Sequence, residues 1–229
     1  MKKLSLKYYA VLCSLLFLSI PLSLRADLLD GWDFNTLAGL DPATLSATVG
    51  SGSLDLSAYT QSERTNFAGS TLNTFPGGAA TAGGALAIIG GTGGSANGKS
   101  MIFSISTLGY EDIMLEFATR GTATGFDTGT WSWSTDNLTY TALVGVNTAT
   151  HSTTFALAPV VDFSAISAID NQSTVYLEYT LSGATSTSGN NRIDNLTVSA
   201  TAVPEPTSIA LAALGGFSIL GISIFRKQK

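Results

Sequence analysis

The middle of the chain alternates between apolar and polar residues over short stretches, and this spacing predicts half-buried β-strands. The alternation is clearest in residues 101–106 and 112–117. Shorter alternating or apolar stretches cover 32–34, 85–89, 131–133, 139–144, 153–157, 174–180 and 192–199. No ten residues of this region have helical spacing. Many short strands joined by Gly, Asn, Asp and Ser turns therefore predict an all-β protein, an antiparallel β-sandwich.

Two segments rich in small residues predict loops between these strands. Residues 76–98 contain nine glycines, which predicts either one long loop or two loops that flank a strand at 85–89. Residues 183–190 are polar and predict a hairpin loop before the last strand.

Residues 1–26 carry the three parts of a secretory signal peptide. Three lysines form a basic start (Lys2, Lys3 and Lys7), residues 10–24 are apolar and uncharged, and the small residue Ala26 stands at the junction. We therefore predict export, with cleavage after this alanine. An uncleaved N-terminal membrane anchor is the alternative.

The charge of the exported body restricts its partners. Between Asp27 and Val203 the chain has 15 acidic and four basic residues, a net charge of −11 against −5 for the whole chain. A surface of this sign repels phosphate groups, so nucleic acid is not a predicted partner. The one cysteine, Cys13, falls in the signal peptide, so the exported body has neither a disulfide nor a thiol nucleophile.

The C-terminal region has the pattern of a membrane anchor. Residues 207–225 form an apolar run of 19 residues without a charge, which is long enough for a transmembrane helix. Arg226, Lys227 and Lys229 follow at once, and basic residues beside a span stay on the cytoplasmic side. The body would then lie outside the membrane and the tail, residues 226–229, inside. A plain anchor that is never processed fits this pattern.

A short motif precedes the apolar run: Val203, Pro204, Glu205 and Pro206. Pro206 favours an extended backbone at Glu205, a form that a processing enzyme can grip. With motif, span and basic end in this order, residues 203–229 resemble the PEP-CTERM sorting tail. The resemblance implies an inner-membrane precursor in a Gram-negative bacterium that makes exopolysaccharide. An exosortase-type membrane protease would remove the tail and deliver the body to the cell surface or extracellular matrix.

The body also has a recognisable arrangement of strands and turns. Residues 108–143 combine a strand, a Gly-rich loop, a second strand and a Ser-Thr-Asp-Asn turn, and residues 190–200 add a closing strand with the sequence RIDN. We predict a local pair between Arg192 and Asp194 there. Together these segments resemble an exported jelly-roll module, which implies a jelly-roll-like sandwich for residues 27–202. Similar sandwiches occur in carbohydrate-binding modules and in surface proteins without a known ligand, so no single function follows.

Residues 93–100, GGSANGKS, match the spacing of a nucleotide-binding P-loop, in which Lys99 would reach the phosphates. A P-loop leads into a helix whose N-terminus holds the phosphate. The residues after Lys99 alternate at the strand period instead, and the predicted compartment does not maintain ATP. We therefore predict a loop between strands and no nucleotide partner.

Catalytic chemistry is sparse in the body. His151, the one histidine, lies among small polar residues without a zinc or Ser-His-Asp pattern, which predicts an exposed residue. Glu116, Asp127, Asp136 and Glu178 are the carboxylates to consider for a glycosidase pair. Asp127 and Asp136 are also candidates for a structural Ca²⁺. Chance alone brings pairs together among 15 acidic residues, so we predict no catalytic residue. No Asp-rich loop of fixed spacing appears, and we predict no metal and no cofactor.

Trp131 and Trp133 lie on the same side of one predicted strand. Flat aromatic rings suit a sugar-binding platform, and Trp32 is a third candidate. The alternative, which we favour, is that large inward-facing rings fill the space between two sheets.

These features together predict a non-enzymatic protein of the cell surface or extracellular matrix, associated with exopolysaccharide. Two alternatives stay open. The body is a carbohydrate-binding module, or it is a glycan-active hydrolase.

Overall fold

The computed structural model describes residues 26–35 and 43–203, and this part of the chain forms two antiparallel β-sheets packed face to face. The predicted motif at 204–206, the span at 207–225 and the basic end lie outside the described residues, as do residues 1–25 of the predicted signal peptide. Within the described ranges, no helix has the length and apolar character needed to cross a membrane.

The described residues form thirteen strands, connected by turns and three short 3₁₀ turns. The strands are β1 (Ala26–Trp32), β2 (Thr44–Ser46), β3 (Ser53–Asp55), β4 (Arg64–Ala68), β5 (Gly84–Ile89), β6 (Lys99–Ile105), β7 (Tyr110–Gly121), β8 (Thr128–Ser134), β9 (Thr141–Leu143), β10 (Ala156–Leu157), β11 (Val161–Asp162), β12 (Val175–Ser182) and β13 (Asn190–Ala202). The first sheet has the order β10-β7-β13-β5-β4, with β1 beside β13 and β11 beside β7. The second has the order β2-β3-β6-β12-β8-β9. The predicted all-β sandwich is confirmed.

The long strand β13 organises the first sheet. It pairs with β7 along one edge, and along the other with β5 in its first part and with β1 in its second part. Between these parts the register shifts, and Asn195 takes a left-handed φ of 49°, which asparagine tolerates. The extra residue changes which side chains face the core, from Ile193 before the bulge to Leu196 and Val198 after it.

A stack of aromatic rings joins the two sheets. In the second sheet Trp131 lies between Tyr179 and Phe103, with ring centroids 4.6 Å and 5.9 Å away. From the first sheet, Trp32 meets Phe103 edge-on at 5.2 Å and Phe117 lies 6.0 Å from Trp131. Aromatic groups in such contacts stabilise a core beyond the area that they bury.

The loop predictions have mixed outcomes. The Gly-rich segment is two loops that flank β5, one of the predicted alternatives. The hairpin predicted at 183–190 is wrong, because this segment crosses from β12 in the second sheet to β13 in the first. The P-loop-like segment ends directly in a strand, since Lys99 is the first residue of β6.

Candidate functional site

The outward side of the second sheet collects half-buried aromatic and polar side chains. Strand β12 alternates strictly, with Val175, Leu177 and Tyr179 in the core. Tyr176 and Glu178 lie between them and therefore point away from the core. Both side chains are half-buried.

Strand β8 and the loop after it complete this surface. Ser132 lies opposite Glu178 in the β8–β12 ladder, and Asp136 and Tyr140 come from the loop that leads into β9. We call five residues of this surface the tyrosine face: Ser132, Asp136, Tyr140, Tyr176 and Glu178.

The turn after β8 holds Asp136 in place. One of its carboxylate oxygens accepts the Ser134 hydroxyl at 2.8 Å and the backbone N–H groups of Leu138 and Thr139 at 2.9 Å each. The N–H bonds from Thr139 and Leu138, with the Ser134 hydroxyl, hold the pKa of Asp136 below its ordinary value. Asp136 is therefore an exposed, ionised acceptor at neutral pH.

Tyr140 lies over the same surface. Burial, and then the proximity of Glu178, Tyr176, Asp136 and Asp55, raise the pKa of Tyr140 to about 12. The phenol therefore keeps its proton at neutral pH, and its hydroxyl donates to Asn137 Oδ1.

Glu178 is held by one neighbour and keeps one oxygen for others. The Ser132 hydroxyl donates to Glu178 Oε2 at 2.6 Å. The other carboxylate oxygen has no hydrogen-bond partner in the part of the chain that the structure describes.

This combination suits a ligand with apolar faces and many hydroxyl groups. Tyrosine rings offer flat apolar area together with a polar end. The carboxylates of Asp136 and Glu178 accept hydrogen bonds that are stronger than those between neutral groups. A saccharide presents both kinds of surface, C–H faces and hydroxyl edges.

The tryptophans predicted as a ligand platform lie on the opposite side of the same sheet. Trp131 and Trp133 do share one side of β8, as predicted, but that side faces the core. Trp131 is 1% exposed and its indole N–H donates to the Thr148 hydroxyl at 3.0 Å. The platform hypothesis is therefore corrected for Trp131: its ring faces are covered by Tyr179 and Phe103. The favoured core alternative describes this residue.

The other two tryptophans also pack inward. Trp32 is 1% exposed, so it offers no surface to a ligand. Trp133 is half-buried and packs against the edge of the core. None of the three lies on the tyrosine face.

The structure separates the four candidate carboxylates into three places. Asp136 and Glu178 meet on the tyrosine face. Glu116 is exposed on the outward side of the first sheet, and Asp127 directly precedes β8. Asp127 and Asp136 thus lie at opposite ends of a seven-residue strand, too far apart to share a Ca²⁺. No group of three or more His, Cys, Asp or Glu side chains within 26–35 and 43–203 is arranged to hold a metal ion.

The structure also shows the contacts of Lys99 and His151. Lys99 forms an ion pair with Glu63, with 2.6 Å between Nζ and Oε2, so its ammonium group is engaged within the protein. His151 is exposed, as predicted, with Nε2 3.2 Å from the Gly125 carbonyl oxygen.

Sequence reasoning missed both tyrosines. The alternation in VYLEY already places Tyr176 and Glu178 on one side of a strand and Tyr179 on the other. Tyr140 gave no such signal, because the turn at residues 134–139 is what brings it beside a strand 36 residues further along the chain.

No protein-family model and no curated protein matches the chain. Several solved structures resemble its sandwich. The CBM22-1 xylan-binding domain from Paenibacillus barcinonensis Xyn10C is 13% identical with a TM-score of 0.42, over 79% of this chain and 98% of that domain. TmCBM61 in complex with β-1,4-galactotriose is 13% identical with a TM-score of 0.33, over 59% of this chain and 81% of the other. A cleaved adhesin domain of Lys-gingipain from Porphyromonas gingivalis is 6% identical with a TM-score of 0.39, over 73% and 95%. At such identities and TM-scores these similarities carry no argument about function.

Proposed function

We propose that this chain is an exported, non-enzymatic protein of the cell surface or extracellular matrix whose sandwich binds polysaccharide through the tyrosine face. The observation that carries the proposal is the convergence of Tyr140, Tyr176, Asp136 and Glu178 on one outward sheet surface. Binding sites for small ligands combine aromatic side chains with a few placed polar groups, and this surface has both.

The same surface favours binding over hydrolysis. A glycosidase needs one carboxylic acid with a raised pKa to protonate the leaving group. The pKa of Asp136 is lowered by its hydrogen bonds instead. Burial raises the pKa of Asp30, Asp170 and Asp194, the last to about 7, and none of these three carboxyl groups lies on the tyrosine face.

The test compares the full-length chain, purified in mild detergent, with the double variant Tyr140→Ala/Tyr176→Ala. Affinity is measured by calorimetry against a panel of soluble neutral polysaccharides that includes xylan, galactan and dextran. Removal of an aromatic anchor from a binding site commonly costs about 2 kcal/mol, or roughly thirtyfold in affinity. We expect at least that loss for the polymer that binds best.

A matched pair, Tyr140→Phe/Tyr176→Phe, keeps both rings and removes only the hydroxyl groups. We expect it to retain most of the affinity if ring contact is the larger contribution. Unchanged affinity in the alanine variant, or a wild-type chain that binds no member of the panel and no acidic polymer, would contradict the proposal.

The proposal includes sorting through residues 203–229. We propose that Pro204, Glu205 and Pro206 present an extended substrate to an exosortase-type membrane protease while residues 207–225 hold the precursor in the inner membrane. Arg226, Lys227 and Lys229 would keep the tail on the cytoplasmic side. Support comes from the order of these three parts in the sequence.

The sorting step is tested in the native host with Glu205→Ala, which removes the one charge of the motif and leaves both prolines. The expected result is accumulation of uncleaved membrane-bound precursor with a normally folded body, detected by fractionation and immunoblotting. Equal release of variant and wild type would favour the plain anchor.

A further inference from the structure

The outward side of the first sheet carries two cationic side chains flanked by two aromatic ones. Arg120 of β7 and Arg192 of β13 lie directly opposite each other in the strand ladder. Phe67 and Phe155 stand at the two ends, with the Arg192 Cζ 4.3 Å from the Phe67 ring centroid and the Arg120 Cζ 5.6 Å from that of Phe155. We call these four residues the arginine row.

The two guanidinium groups concentrate the uncommitted positive charge of the body. Of its four basic residues, Lys99 is paired with Glu63, and Arg64 is buried with a hydrogen bond to the Leu56 carbonyl oxygen. Neither Arg120 nor Arg192 forms a salt bridge within the described residues, although the body has 15 acidic residues.

The predicted pair between Arg192 and Asp194 is absent as well. Asp194 turns its two carboxylate oxygens to the backbone N–H groups of Ser70 and Asn195. Arg192 instead donates to the Ala68 carbonyl oxygen at 3.3 Å. Asp194, the acidic residue nearest to Arg192 in the strand, therefore has hydrogen-bond partners other than Arg192.

This placement is unfavourable for the folded protein alone. Like charges directly opposite in a sheet destabilise it. Partial burial, and then the charge of Arg120, lower the pKa of Arg192. An anion between the two groups would offset the repulsion between their charges.

The geometry also limits the kind of anion. Arg192 is held by Phe67, the Ala68 carbonyl oxygen and Asn190, so its planar fork is fixed before a ligand arrives. A guanidinium fork matches the two coplanar oxygens of a carboxylate. The exposed edge of Phe67 supplies apolar contact area next to that fork.

We infer that the arginine row is a second saccharide site that binds the carboxylate of an acidic sugar, a uronate unit of a polysaccharide. This inference rests on the proposed function, which supplies the polysaccharide ligand. It adds that the polysaccharide carries negative charge and contacts a second surface of the sandwich. The tyrosine face would hold neutral units through ring contacts and hydroxyl groups. The arginine row would hold the charged units on the other side of the sandwich.

The experiment uses the full-length chain in detergent and three probes: polygalacturonate for carboxylates, dextran sulfate for sulfate esters, and the neutral polymer that binds best. The variant Arg120→Gln/Arg192→Gln removes both charges and keeps polar side chains. The variant Arg120→Lys/Arg192→Lys keeps the charge and removes the fork. Thermal unfolding of each variant establishes that it is folded.

We expect the glutamine pair to lose roughly ten- to a hundredfold in affinity for polygalacturonate, the range for hydrogen bonds to charged groups. The lysine pair should lose most of that as well, while both keep the neutral polymer unchanged. Polygalacturonate binding equal to wild type in the glutamine pair would overturn the inference. So would binding in the lysine pair that equals wild type for both acidic polymers, because charge alone would then suffice. The tyrosine variants report on the proposed function separately, whatever the arginine variants do.

Discussion

The two outward surfaces of the sandwich differ in charge and in the way their aromatic groups are used. The tyrosine face of the second sheet combines Tyr140 and Tyr176 with two carboxylates. The arginine row of the first sheet combines two phenylalanines with two guanidinium groups that have no carboxylate partner in the described chain. One surface is built to accept hydrogen bonds from hydroxyl groups, and the other to donate them to an anion.

The difference shows that the same kinds of aromatic residue serve both the core and the outward surfaces. Trp131 and Trp32 lie in the core together with Tyr179, Phe103 and Phe117, whereas Tyr140 and Tyr176 lie on the tyrosine face and Phe67 and Phe155 lie beside the arginines. The charged side chains of the body also differ in whether they have an ion-pair partner within the protein. Lys99 and Glu63 form an internal ion pair, whereas Arg120 and Arg192 have no carboxylate partner within the described residues, although Arg192 donates to the Ala68 carbonyl oxygen and Asn190.

The largest expected effect is a difference in stability loss between a substitution in the core beneath the tyrosine face and one in the arginine row. Trp131→Ala removes the centre of the aromatic stack and should lower the free energy of unfolding by about 3–5 kcal/mol. Phe67→Ala, the same kind of truncation at a 36% exposed position, should cost about 1 kcal/mol or less. Urea unfolding of both variants measures the difference. Similar losses would mean that the arginine row is a structural element rather than a surface prepared for a ligand.

The next effect concerns the pH dependence of the first sheet. Burial raises the pKa of Asp194 to about 7 and outweighs the N–H bonds from Ser70 and Asn195. The folded protein therefore holds this proton more tightly than the unfolded chain, whose ordinary value is 3.8. This contribution to stability is fully present below about pH 4 and is lost as the pH rises to about 7, by on the order of 4 kcal/mol.

The variant Asp194→Asn should lack this slope. Unfolding free energies of wild type and variant, measured in urea from pH 4 to pH 8, give the difference directly. Parallel curves for the two proteins would show that Asp194 does not change its proton affinity on folding.

A smaller difference in stability is expected between removal of the paired charge of Lys99 and removal of the unpaired charge of Arg120. Burial disfavours ionisation of Glu63, but hydrogen bonds from Lys99, Ser95 and Thr60 outweigh it and lower the pKa to about 2. Lys99→Met leaves this carboxylate without its cation and should cost about 2–3 kcal/mol, below the value for a fully buried pair because Lys99 is 27% exposed. Arg120→Gln should change stability by less than about 0.5 kcal/mol.

The pH range of this pair distinguishes it from Asp194. Because the folded pKa of Glu63 is depressed from 4.5, its stabilisation is present above about pH 4.5 and is lost as the pH falls towards 2. Acid unfolding of wild type should show this loss, and Lys99→Met should not. If wild type and Lys99→Met unfolded at the same acidic pH, the ion pair would not be the cause of the loss of stability in acid.

The sequence predicts most of the long strands and little of the surfaces. Alternation locates β6, β7 and β12 because each has one face in the core. Two-residue strands such as β11 give no periodic signal. Local sequence predicts a hairpin at 183–190, because it does not reveal that the chain passes there from the second sheet to the first.

The functional surfaces depend on contacts between distant residues. Tyr176 and Glu178 are readable as neighbours from spacing alone. The opposition of Arg120 and Arg192 is not, because it depends on the register between β7 and β13, strands that are far apart in the chain. A local pairing with Asp194 was the natural expectation, and the packing of Ser70 against that carboxylate overturned it.

The most direct test of sugar binding at the tyrosine face is an NMR titration of the isotope-labelled full-length chain with an oligosaccharide of the neutral polymer that binds best. Chemical-shift changes should concentrate at residues 132–142 and 176–178 and leave Phe67, Arg120 and Arg192 unchanged. Shifts centred on the arginine row, or shifts spread evenly over both sheets, would contradict a neutral-sugar site on the tyrosine face.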